Sequence, residues 1–289
     1  MPLTSAHLIA VATWPVVLGV GTVGAALALH AGRWPAPFVV VVAVYAVGMV
    51  ALLLQRLAPS VPSWRWWRED TGVDMWHIVL STLGGSMLAR AVRLGVVATI
   101  PAALVHEAGP WPNELPFPVQ FALALIVADG IAWVLHAASH RFAWLWRFHE
   151  MHHSSERLHV LSAGRTHPVF VALTQLAQTM PMAALGAPAE VLALLTAFTG
   201  FVGVLQHANI SVRTGWLDYV FATAALHRWH HDATDQGRNF GNNLALWDLV
   251  FGTWYRPPDA TPERVGLNRP YPRTWFQQVI EPFRRARSR

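Results

Sequence analysis

An all-α bundle that crosses a membrane several times and carries a histidine-rich, two-metal cap on its cytoplasmic side is the fold class this sequence predicts. Three observations lead there. Hydrophobic residues make up 54% of the 289-residue chain and charged residues 13%, against roughly 25% charged in a typical soluble domain. Apolar runs of span length recur along the chain. Eight histidines stand at helical spacing, as His136-x3-His140, His149-x2-His152-His153 and His227-x2-His230-His231.

The elements follow in order. Leu8 to Leu29 is apolar, lacks a positively charged leader and is about as long as a membrane span, and a second apolar run from Phe38 to Leu54 follows at once. The pair predicts a helical hairpin retained in the protein, with Trp14-Pro15 kinking or ending its first turn. Gln55 to Val73 mixes Arg56, Arg65 and Arg68 with Trp64, Trp66 and Trp67, the combination that a membrane–water boundary selects. Ile78 to Leu104 is apolar but interrupted by Gly84-Gly85, Arg90 and Arg93, which predicts an interfacial helix and then a span from about Leu94.

A proline-rich loop from Gly109 to Pro116 leads into Phe117–His136, about 30 Å of helix and enough to cross the hydrocarbon core. Asp129, Trp133, His136 and His140 fall on one stripe of it, so the span delivers its first two histidines near the membrane surface. Val169 to Leu185 and Ala189 to Leu205, joined by Gly186-Ala187-Pro188, predict a second hairpin that enters and leaves on the histidine side and brings His207 beside the site. The C-terminal run TWFQQVIEPFRRARSR suits either an interfacial helix on anionic lipid or a disordered basic tail.

The charge pattern orients these spans. All twenty-one basic residues are arginine, and they crowd the segments at 55–77, 140–165 and 213 onward. The opposite loops hold only Arg33. The positive-inside rule then puts the histidines on the cytoplasmic side of a bacterial inner membrane. The net charge of +5 belongs to this pattern and not to a nucleic-acid partner. With no cysteine, disulfides and thiolate ligands are excluded.

Residues three and four apart share a helix face, so His136 and His140 point the same way and the three histidines of each H-x2-HH converge on one point. A structural zinc takes about four ligands and usually includes thiolate. Eight imidazoles are too many for one such ion, and imidazole suits iron, copper, nickel or zinc. Two metals are the natural inference, with the element unnamed by spacing.

These motifs, their order and their surroundings resemble the fatty acid hydroxylase and sterol desaturase superfamily of integral-membrane di-iron enzymes. The resemblance covers roughly residues 117 to 256. Besides the histidines it is carried by Asp129, His140-Arg141, Trp146-Arg147-Phe148-His149, the HHSSE run from His152 to Glu156, and Arg165-Thr166-His167-Pro168. Gln206-His207-Ala208-Asn209, Asn239-Phe240-Gly241 and the segment from Leu246 to Thr253 complete it. The chain then divides into an N-terminal transmembrane hairpin with its interfacial region (1–116), a hydroxylase-like catalytic region (117–256) and a basic interfacial tail (257–289), folded as one unit.

The resemblance implies two iron ions, with zinc possible in the isolated protein, and O2 as oxidant. No dinucleotide fingerprint or fused haem-binding segment is present, so a separate ferredoxin or reductase-type electron donor is expected; one branch of the superfamily uses reduced pterin. The expected reaction is hydroxylation of a C–H bond in a membrane lipid, whether fatty acyl, sterol-like or ether lipid. Desaturation is the alternative within the superfamily. A zinc-dependent membrane hydrolase or metal-handling protein, working without reductant or O2, is the alternative outside it.

By the same resemblance the ligands are His136, His140, His149, His152, His153, His227, His230 and His231, with His207 as a ninth. As a lone histidine, His207 equally suits a helix-terminal hydrogen bond. His167 is a possible ligand, a pocket-lining residue or a structural one, and His159 a loop residue. Asp129, Asn209, Asp232, Asn242 and Asp248, with Glu150 and Glu156, are the candidates for orienting ligands from outside. Asp129 either accepts the far N–H of a ligand ring or makes a hydrogen bond between helices, and Asp248 equally suits tying a loop. Arg141, Arg147 and Arg165 either meet an anionic head group or anchor in lipid.

Overall fold

The computed structural model describes residues 5–64, 68–99, 109–258 and 260–284. Eleven α-helices are named along them: α1 (Ser5–His30), α2 (Ala36–Leu57), α3 (Glu69–Trp76), α4 (Thr82–Thr99), α5 (Phe117–Arg141) and α6 (Ala143–His153), then α7 (Pro168–Ala184), α8 (Ala189–His207), α9 (Ala224–His230), α10 (Leu246–Phe251) and α11 (Trp275–Arg284). A π-helical turn, His77–Ser81, joins α3 to α4. Among the described residues there is no strand, only isolated bridges such as Pro59 with Ile210.

Four helices, α1, α2, α5 and α8, are long and apolar enough to cross a membrane. In lipid a helix satisfies all its own backbone groups, which is why these apolar runs become helices. Their outward faces carry large exposed apolar side chains, including Val20 and Leu27 on α1, Met49 and Leu53 on α2, and Val134 on α5. The α1–α2 hairpin expected from sequence is present. Its first helix, however, runs through Pro15 without ending. One lost backbone bond is outweighed by the rest of a long apolar helix, and Trp14 is locked in the core with 1% of its surface exposed.

The expected start of a span near Leu94 is also corrected, because α4 runs unbroken from Thr82 to Thr99; residues 100–108 lie outside the described residues. Gly85 does not break α4 but serves contact. A Cβ there would lie 2.5 Å from the Val171 Cβ and 2.7 Å from the Pro168 carbonyl of α7. Gly200 plays the same part where α8 meets α2, since its Cβ would sit 2.6 Å from a Val44 methyl. Apolar area drives little helix association in lipid, so close approach over small residues carries it.

Helix α8 is the centre of the bundle, packing on α1, α2, α5 and α9. Its Phe201, Val202 and Leu205 are buried against Trp14, Val47 and Ala128 of the neighbouring spans. At one end of the bundle, four helices stop together. Helix α5 ends at Phe142, whose extended backbone (φ −107°, ψ 117°) turns the chain into α6. Helices α6, α8 and α9 stop at His153, His207 and His230. Each therefore presents histidine in its last turn at the negative end of its dipole, where positive charge is favoured.

Candidate metal centre

All nine histidines expected as ligands come together, in two groups. Ring nitrogens of His136, His140, His149, His153 and His230 lie within 4.8 Å of one another, and so do those of His152, His207, His227 and His231. In the first group His149 Nε2 stands 3.0 Å from His136 Nε2 and 3.1 Å from His153 Nε2. In the second, His227 Nε2 is 2.9 Å from His207 Nε2, and His231 Nε2 is 3.1 Å from both His227 Nε2 and His152 Nε2.

The grouping corrects one expectation. The three histidines of each H-x2-HH do not converge on one point. His149 and His153 enter the five-histidine group while His152 enters the other; His227 and His231 enter the four-histidine group while His230 crosses to the first. Helical geometry explains the split. With about 100° of rotation per residue, position i+4 lies roughly 40° to one side of position i and i+3 roughly 60° to the other. The pair four apart shares a group, and the middle residue serves the neighbour.

Three of the outward nitrogens have partners, two of them on backbone carbonyls. His136 Nδ1 donates to the Phe240 carbonyl at 2.7 Å and His230 Nδ1 to the Arg238 carbonyl at 2.8 Å. Asn239 between them adopts a positive φ of 52°, and its side chain is tied to Leu226 and Tyr255. On the other side, Ser162 Oγ lies 3.1 Å from His207 Nδ1. These partners fix the tautomers of His136, His230 and His207 and aim the other nitrogen of each ring inward. Phe240 packs edge-on or tilted against His136, His140 and His230 at 5.2–5.7 Å, and Phe170 lies 4.5 Å from His149, so an aromatic wall closes the five-histidine group.

Burial decides the charge. Removal from water, and then the neighbouring imidazoles, hold His149, His153, His227, His230 and His231 well below the ordinary histidine value. His152 is pushed down to about 3, again chiefly by burial. Neutral rings are the form that binds metal. His140 Nε2 and His230 Nε2 are buried without a hydrogen-bond partner, an arrangement that costs free energy unless a cation completes it. An all-imidazole donor set with unpartnered inward nitrogens at four helix C-termini fits two ions of borderline character such as iron.

The expected outer carboxylates are placed differently. Asp129 touches no ligand ring: its oxygens accept from the Asn243 backbone and side chain at 2.8 and 3.0 Å and from the Leu244 N–H at 3.1 Å. A carboxylate deep in an apolar helix takes the nearest free donors, and the 242–245 turn offers them. Asp248 is fully committed to loop tying, accepting from Trp133 Nε1, Phe240 N–H, Gly241 N–H and Thr253 Oγ1 at 2.6–2.9 Å. It therefore holds the very residue whose carbonyl orients His136. Asn209 brackets Val61 with two 2.9 Å bonds, Asp232 caps Thr234, and the Asn242 carbonyl accepts from Gln206. None of the three reaches a ring.

His167 is not part of either group. Its Nδ1 caps α7 by accepting from Val169 N–H at 3.1 Å and its Nε2 donates to the Val279 carbonyl of α11 at 3.0 Å. His159 is buried against Asp74, with Nε2 to Oδ2 at 2.9 Å. Arg165 is buried with its Nε 2.6 Å from Asp74 Oδ1, whereas Arg141 is exposed and Arg147 half-buried on α6. Glu150 pairs with Arg269, and Glu156 is exposed. Sequence reasoning missed Ser162, Arg238 and Phe240. The Asn239-Phe240-Gly241 motif was the one available signal, because its value lies in carbonyls that residue identity does not advertise.

Comparison with known proteins gives the family. The fatty acid hydroxylase family model matches residues 121–253. The chain is 34% identical to the ornithine lipid hydroxylase OlsE of Rhizobium tropici, over 94% of this chain and 83% of that protein. It is 27% identical to an alkylglycerol monooxygenase of Danio rerio, over 66% of this chain and 43% of that one, and 27% identical to the fatty acid hydroxylase vlmA of a Lecanicillium species, over 52% and 46%. No solved structure matches. With two imidazole groups at the end of an apolar bundle and a relative that spans nearly the whole chain, the protein belongs to the fatty acid hydroxylase family of lipid-modifying oxidoreductases.

Proposed function

We propose that this protein hydroxylates a C–H bond of a membrane lipid using two iron ions, one held by His136, His140, His149, His153 and His230 and the other by His152, His207, His227 and His231. The observation that carries the reading is the convergence of five and four buried or half-buried histidines, with the ring nitrogens of each set within 4.8 Å of one another. When bound, the irons supply O2 activation with electrons delivered by a separate donor protein. The chain's own residues do the rest. Burial keeps the imidazoles unprotonated, the Arg238 and Phe240 carbonyls and Ser162 aim them, and Phe170, Trp146 and Phe240 exclude water from the rings.

By analogy with the Rhizobium relative, an aminoacyl lipid such as ornithine lipid is the substrate to try first. The arginines of the 55–77, 140–165 and C-terminal segments support a cytoplasmic position for the histidine cap. The test is metal analysis and Mössbauer spectroscopy on iron-57-labelled membranes prepared without air, wild type beside His152→Ala, followed by lipid mass spectrometry under oxygen-18. About two irons per chain, lost in the variant, with label in a lipid hydroxyl, is the expected outcome. Zinc in place of iron, or a lipid product formed without O2, would overturn it.

A further inference from the structure

A charged cleft of about 850 Å³ opens beside the metal centre. Its wall is built from the start of α3, the 154–165 loop and the 267–278 segment, which sequence keeps far apart. Ser154 of the wall directly follows His153, and Arg269 of the wall pairs with Glu150, which lies between His149 and His152 on α6. The cleft therefore adjoins the ligand helix. Volumes of this order suit small-molecule binding.

Its charges divide into two layers. In depth, Arg157 grips Asp70 at 2.6 Å and Arg165 grips Asp74 at 2.6 Å. Arg165 is 4% exposed, and its Nη2 makes no hydrogen bond, with Asp70 Oδ2 3.9 Å away. At the rim, Arg68 and Arg273 face Glu69 and Glu156, and none of these four has an ion-pair partner among the described residues. Altogether the five arginines of the wall are matched by five carboxylates, counting Asp74 and Glu150 behind it. A net anionic ligand would find its attraction cancelled. A ligand bearing both a carboxylate and an ammonium would meet partners for each.

A second hollow of about 470 Å³ shares Glu69 and Val73 with the cleft and continues along Trp76, Leu80, Trp275 and Phe276. Trp76 and Phe276 are 58% and 64% exposed, as side chains at a lipid boundary are. A polar cleft that runs on into an apolar groove has the shape of an amphiphile.

From these features we infer that the cleft is a head-group site for a zwitterionic amino-acid lipid, whose carboxylate meets Arg165 and Arg273, whose ammonium meets Glu69 and Glu156, and whose acyl chain lies in the Val73–Trp275 groove. The inference rests on the lipid hydroxylase reading for its purpose but is tested by binding alone. The probes are N-dodecanoylornithine, which carries both charges, and N-dodecanoylglycine, which carries only the carboxylate, titrated calorimetrically into the full-length protein in maltoside micelles.

The wild type is expected to bind the zwitterion about tenfold tighter than the anion. Glu69→Gln with Glu156→Gln removes that preference while leaving affinity for the anion, and Arg273→Gln weakens both. All three positions are exposed and none belongs to either histidine group, so iron content stays that of wild type and reports intact folding. Equal binding of the two probes, no binding of either, or a preference that survives the double variant overturns the site. Failure here with iron and oxygen-18 incorporation intact would remove the cleft and keep the hydroxylase; binding without iron or oxygen-18 incorporation would do the reverse.

Discussion

The two histidine groups are made from the same helical motif, yet they are braced from opposite sides. The five-histidine group leans on the 238–241 loop, whose Arg238 and Phe240 carbonyls take the His230 and His136 N–H groups. That loop is in turn held by Asp248. The four-histidine group leans on Ser162, in a turn whose neighbours His159 and Arg165 are pinned to Asp74 of α3. One group thus depends on a carboxylate near the C-terminal end of the family region, and the other on an ion-pair clamp reaching back before it. The lesson is that the histidine motif is shared while the bracing of its rings is local.

The largest effect belongs to the ligands themselves. His153→Ala and His231→Ala are each expected to remove the ion of their own group and to reduce lipid hydroxylation by about 100-fold or more, measured by iron stoichiometry and product formation. If either variant keeps two irons, the division into five and four is wrong. Next comes Asp248→Ala, which strands four donors at once. It should weaken metal retention about 30-fold by chelator competition, with the loss confined to the ion whose ligands include His136 and His230. Equal loss of both ions would merge the two supports into one.

Ser162→Ala is milder, since it removes a single bond to His207 Nδ1 and leaves the ring packed. About tenfold weaker retention of the other ion is expected, and retention at the wild-type level would show that Ser162 does not aim His207. A last effect lies outside both groups and concerns acid on the α3 side. Burial pushes His77 down to about 4, against the Gln278 bond that raises it. His77 is hydrogen-bonded to Ser81 and, at 2.7 Å, to Gln278 of α11. A histidine whose folded value is depressed gives stability that is complete above its unfolded value, about 6.5, and is lost as pH falls from there toward 4. Hydrogen-exchange protection at the α3–α11 junction, corrected for the intrinsic slowing of exchange in acid, should therefore fall over that window, by about 2 kcal/mol of opening free energy near pH 5. His77→Gln should flatten the dependence; an unchanged slope would move the acid sensitivity elsewhere.

Much of this architecture was legible in the chain. Apolar runs of span length named α1, α2, α5 and α8, because in lipid such a run has no alternative to helix. The histidine spacings named the site, because positions three and four apart on a helix cannot avoid sharing a side of it. Pro15 and Gly85 misled for a common reason: each is a helix breaker in isolation, and each sits where neighbouring helices supply what the local backbone lacks. His167 was ambiguous because a histidine that caps a helix and one that binds a metal look the same in one dimension.

What the sequence determined by itself was the apolar helical bundle and the histidines gathered at its end, set by composition and by contacts within one helical turn, with the resemblance of the motifs pointing to the family. What only the tertiary structure decided was which ring joins which group, that backbone carbonyls and not Asp129 take the N–H groups of His136 and His230, and that α3, the 154–165 loop and the 267–278 segment enclose one charge-balanced cleft. Those features join residues up to about 200 positions apart, and such meetings depend on how helices stop and cross, which no local pattern of side chains encodes.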